Sequence, residues 1–180
     1  MSKRIVSQLA ANFARTHHLY LQFVDQCPDE LWVKRFGPWP LWQHIVHVYG
    51  SIDHLVLQEG QEPTPYPCRA DNILAFAFDA DAMMDKTAMR VYMQIMKAKA
   101  DAYIDGLTDA ALGETHAGYS SRKIHSMNAA APGGTPAGHS APPKEDCSHA
   151  LALSMLAAHP FYHFGILDTA LRDHGCKGIY

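Results

Sequence analysis

The sequence predicts an all-α protein, a four-helix bundle with long crossover connections. Four long stretches repeat apolar residues at helical spacing, none alternates as a half-buried strand would, and Gly/Pro-rich breaks separate them. With 180 residues, 48% hydrophobic and 18% charged, the chain suits a single domain over residues 1–180 whose core needs no disulfide.

The first helix is expected from a cap at Ser2 to about Gln26, with Ile5, Leu9, Phe13, Tyr20 and Val24 on its apolar side. Pro28 stops it. A short turn through Leu31 and Trp32 follows, and Gly37 and Pro38 break the chain again. Pro40 suits the first turn of a second helix, where its missing N–H has no helical partner. Leu41, Ile45, Val48, Ile52, Leu55 and Val56 form its stripe, and Gly60 ends it. Pro63, Pro65 and Pro67 demand an extended connection, and residues 72–85 read either as a short helix or as part of the crossover. The third helix is expected from about Asp81 to Asp105, with Met84, Ala88, Val91, Ile95, Ala98 and Ala102 on one face. Its Met83, Met84, Met89, Met93 and Met96 read as core and interface filler rather than a soft-metal site. Residues 126–144 are rich in Ala, Gly and Pro and read as a flexible loop. The last helix starts near Cys147 or Ser148 and stops at Gly175, just after His174.

Fifteen Lys and Arg against eighteen Asp and Glu give a formal charge of -3, without the basic balance of a nucleic-acid binder. Ser7, Gln8, Asn12 and Arg15 interrupt the N-terminal apolar residues, so no signal-peptide core forms, and no stretch approaches the ~20 apolar residues of a membrane span. Cys27, Cys68, Cys147 and Cys176 form no C-x-x-C pair and read as reduced thiols of a cytoplasmic protein. None has a partner in the sequence that would make it a nucleophile.

Histidine is the anomaly, with twelve in the chain. His44, His47 and His54 share one side of the second helix, at offsets of three and seven. His159 and His163 stand four apart on the last, on a face continued by Ala152, Leu156, Leu167 and Ala170. At that offset Cβ atoms lie ~5–6 Å apart, so both rings can converge on one ion. His47, donated across the bundle, would complete a three-nitrogen site. A lone helical histidine is ordinarily a hydrogen-bonded core residue; inward pairs on two helices are what raise the metal reading. Tyr162, Trp42 and Asp53 could line a pocket or orient an imidazole, although packing is the ordinary role of each. His17 and His18 are ordinary helix residues on the same reasoning.

The segments HIVH and HPFYHFGIL resemble those of the DinB-like superfamily, four-helix-bundle proteins regarded as metal-dependent enzymes. The resemblance implies that His47, His159 and His163 are the metal ligands, with His44 the frequent companion and Gly165 the glycine that follows the last ligand. Ile166 replaces a polar residue frequent in the family. Pro160 falls between two of the implied ligands, where proline removes a helical hydrogen bond and crowds the Leu156 carbonyl at ~3 kcal/mol or more. The helix should therefore kink, or end and restart.

Imidazoles suit Zn, Ni, Fe or Cu, and a three-histidine ion with open positions can activate water or polarise an oxygen or sulfur ligand. The Glu of H-E-x-x-H is absent, which removes the metalloprotease arrangement. The expected protein is thus a metal-binding bundle with one divalent metal. It acts on a small molecule, either by transfer or isomerisation with a low-molecular-weight thiol, which the resemblance implies, or by hydrolysis. The resemblance also implies a homodimer. A non-catalytic metal or ligand binder, and a bundle whose histidines are merely packed, are the alternatives.

Overall fold

The computed structural model describes residues 2–37, 39–62, 64, 83–118 and 148–180. The expected loop at 126–144, the ambiguous stretch up to residue 82, Cys68 and Cys147 lie outside the described residues.

The described chain is mostly helical. Its elements are α1 (Arg4–Gln26), α2 (Asp29–Trp32), β1 (Arg35–Phe36), β2 (Trp39–Pro40), α3 (Leu41–Val56), α4 (Lys86–Gly106), a 3-10 helix (Asp109–Gly113) and α5 (His149–Asp173). The four long helices pack in a closed ring of pairs: α1 on α5, α5 on α3, α3 on α4, and α4 on α1.

Lys3, not Ser2, stands at the N-cap of α1, although the Ser2 oxygen accepts the Arg4 N–H at 3.5 Å; the Ser2 side chain serves mainly to hold Asp109. Its hydroxyl donates to the Asp109 carboxylate, and that carboxylate accepts the free N–H groups of Ile5 and Val6 at 3.1 and 3.0 Å. The cap therefore comes from a residue more than a hundred positions along the chain. Two other caps are local, because Asp85 accepts from Ala88 at the start of α4 and Ser148 from Leu151 at the start of α5. Gly175 at φ 76 closes α5: its N–H reaches the Arg172 carbonyl and that of Cys176 reaches Leu171, the paired bonds of a Schellman stop.

The stripe expected on α3 is buried throughout, at 5% exposure or less. The one expected on α4 is not. Val91 and Ile95 are 53% and 45% exposed, and the helix turns Met89, Tyr92, Met93, Met96 and Ala100 inward. α4 is apolar on two sides, and unbranched Met shapes itself to the gap among three helices where a β-branched stripe would not. The Trp32 indole N–H donates to the Met84 carbonyl, and Lys86 Nζ reaches the Cys27 carbonyl and the Asp29 carboxylate, which anchors the head of α4 to α2.

The hairpin β1–β2 has no counterpart in the sequence reading. It pairs Arg35 with Pro40 and Phe36 with Trp39 around Gly37, whose φ of 64 suits a residue without Cβ. Strands of two residues are too short to show alternation.

α5 neither ends nor restarts at Pro160; it runs unbroken from His149 to Asp173. Pro160 is buried, and its carbonyl accepts the Tyr20 hydroxyl at 2.8 Å, which ties this turn of α5 to α1. α5 is also long and apolar enough to cross a membrane by length and composition, which exceeds the sequence expectation. Much of that character lies in Ala152, Leu153, Leu156, Phe164 and Leu167, all buried in the core.

Candidate metal centre

α3 and α5 bring His47, His159 and His163 together. One ligand-type atom from each lies within 4.8 Å of the other two. Ring centroids are 5.0 Å apart for His47 and His159, 4.8 Å for His47 and His163, and 4.7 Å for His159 and His163. The continuity of α5 through Pro160 is what preserves the four-residue spacing of the last pair.

The His47 and His159 Nε2 atoms are 3.2 Å apart. Two imidazole nitrogens on one tetrahedral ion, each bonded at ~2.0–2.1 Å, stand ~3.3 Å apart. One pair is therefore already spaced for a shared ion. The set as a whole lies within 4.8 Å. His163 Nδ1 is buried and has no hydrogen-bond partner among the described residues. An unmatched buried nitrogen is unusual in a settled core and fits a site built for something beyond the protein.

The protonation state fits as well. Burial, followed by the neighbouring imidazoles, brings the His47 pKa down to about 2 and that of His163 to about 3. Burial lowers His159 and His44 too. The rings are thus neutral near pH 7, the protonation state that coordination requires.

The other candidates separate. His44, 2% exposed, lies beside the triad with its centroid 5.8 Å from His163 and its Nε2–H aimed at the Phe36 carbonyl at 3.4 Å. Tyr162 is 67% exposed and meets the His163 ring edge-on at 5.2 Å. Trp42 is packed in the core at 3% exposure. Asp53 turns to α4, where Lys99 Nζ lies 2.5 Å from its carboxylate, and it also accepts the Thr64 N–H at 2.5 Å. The aromatic that the sequence reading missed is Trp39. Its ring is 4.9 Å from His44, 5.9 Å from His47 and 6.4 Å from His163. Only its place just ahead of Pro40, at the mouth of α3, could have singled it out.

Several other histidines are satisfied by the fold. The Tyr49 hydroxyl pairs with His17 Nδ1 at 2.7 Å, Gln22 with His18, and the Tyr103 hydroxyl with His149 Nδ1 at 2.8 Å. His116, stacked on His149, donates from Nε2 to the Leu55 carbonyl at 2.9 Å.

A mostly helical chain with three neutral imidazoles converging from two of its helices is the kind of protein that could hold a transition metal. A family model described as the DinB superfamily matches residues 12–167, and the chain belongs to that superfamily. No curated protein and no solved structure matches it significantly.

Proposed function

We propose that this chain is a single-domain four-helix bundle in which His47, His159 and His163 hold one divalent transition metal, and that the loaded protein acts on a small molecule. The convergence of three imidazoles, all with lowered proton affinity, is the observation that carries the reading. When bound, the metal would supply a Lewis acid with positions left open to a thiol or a water. The chain's own part is to keep the three rings deprotonated by burial and to hold their spacing through the packing of α3 on α5. The described donor set contains imidazoles only, with no carboxylate among them to act as a general base. That favours activation of a ligand that ionises readily, such as a low-molecular-weight thiol, over a reaction that needs a strong protein base.

Elemental analysis of the purified chain should find one divalent metal per chain. His163→Ala should abolish loading, beyond the ~10–100-fold that changes around a ligand produce, while exposed His18→Ala leaves it intact. A thiol-transfer screen of loaded and stripped protein then separates enzyme from passive binder. Equal metal content in wild type and His163→Ala would sink the centre, and turnover unaltered by stripping would sink its catalytic role.

A further inference from the structure

We propose that Trp39, carried over the imidazoles by the β1–β2 hairpin, is the wall on which the organic body of a metal-bound ligand stacks, so that the site takes small anionic donors with a flat, unsaturated body. The inference rests on the metal reading above and adds the shape of the ligand.

Three observations support it. The indole reaches three of the four clustered imidazoles and lies nearly parallel to His163, at 23°. Trp39 is also half-buried, whereas Trp32 and Trp42 are each closed off at 3% exposure. Third, the hairpin is tied down rather than loose. Phe36, paired with Trp39, offers its carbonyl to His44, and the Leu41 N–H donates to the Lys34 carbonyl at 3.2 Å. A wall fixed beforehand loses little entropy when a ligand packs on it.

Ligand class follows from charge and surface. Neutral imidazoles leave a dication its full charge, so the end of the ligand that meets it is an anion or an ionisable donor. The body then meets the face of the indole, and Tyr162 stands exposed at the edge of His163. Flat unsaturated groups gain most from such faces through offset or edge contacts. A cationic body would gain from the indole but is repelled by the metal beside it.

The test uses the full chain loaded with cobalt(II), whose visible spectrum reports both the metal and its ligands. Acetohydroxamic and benzohydroxamic acids present the same chelating group on a methyl or a phenyl body. Wild type should bind the phenyl compound about tenfold more tightly. Trp39→Ala should bring the two within about twofold, and Trp39→Phe should keep most of the preference. Cobalt affinity should stay within about threefold across all three proteins, since Trp39 offers no ligand atom. A preference that survives in Trp39→Ala, or is missing from wild type, overturns the proposal while leaving the metal centre standing. Weakening of cobalt itself by more than about tenfold in Trp39→Ala overturns it too, because the indole would then be supporting the triad. Failure of wild type to bind cobalt overturns the metal centre and this inference together.

Discussion

Acidification of the metal-free chain should unfold it well above the pH at which carboxylates titrate. Burial first, and neighbouring charge second, brings His17 to about 4, His47 to about 2 and His163 to about 3, from an ordinary value of 6.5. A pKa lowered by folding means that below 6.5 the unfolded chain binds more protons than the folded one. Stability is therefore intact above that value and is lost as pH falls towards the folded values. From about pH 7.5 to about pH 5 each imidazole removes about 2 kcal/mol, a quantity set by the unfolded pKa while the folded one lies below 5. Three such groups remove about 6 kcal/mol, which matches the whole stability of many domains. Urea titrations of chelator-stripped protein, at steps from about pH 7.5 to about pH 5, should show the midpoint falling with little change in slope against urea. The loss should approach 4 kcal/mol per pH unit, about 1.4 for each imidazole. Added zinc should shift the loss to lower pH, because coordination holds the rings deprotonated. A stability that stays level across this range, or falls by less than one imidazole's share, would refute the claim that these rings are buried and neutral.

Lys99→Met should destabilise by about 3 kcal/mol in chemical denaturation, since it leaves the Asp53 carboxylate buried without its cation; a loss under about 1 kcal/mol would show that water reaches Asp53. Tyr20→Phe removes the hydroxyl that the Pro160 carbonyl accepts and should lower stability by about 1 kcal/mol, together with a weaker hold on metal as α5 relaxes. Gly118→Ala should destabilise clearly in thermal melts, because the new Cβ would stand 1.9 Å from the Leu57 carbonyl oxygen and only backbone movement could relieve it.

Helix content was legible wherever one face dominates. On α3 every expected stripe position is buried, but so are Trp42, Val46 and Tyr49 between them, because the helix is enclosed on nearly all sides and any apolar stripe chosen on it ends in the core. On α4, with apolar residues on two sides, the sequence reading chose Val91 and Ile95, and only the neighbouring helices decide for Met89, Met93 and Met96. Three of the site's rings were visible from register: four residues between His159 and His163, and His47 on the inward face of α3. Trp39 was not, since it reaches the triad through a hairpin whose strands are two residues long.

Composition and periodicity on their own determined an all-α protein with imidazoles facing inward from two helices, because helical register is a local property of the chain. Tertiary packing alone decided that α5 passes through Pro160, that Asp109 caps α1, and that Trp39 lies against His47 and His163. Each of those depends on which distant group arrives to meet a carbonyl, a helix-terminal N–H or an imidazole ring. Local spacing carries no record of that arrival.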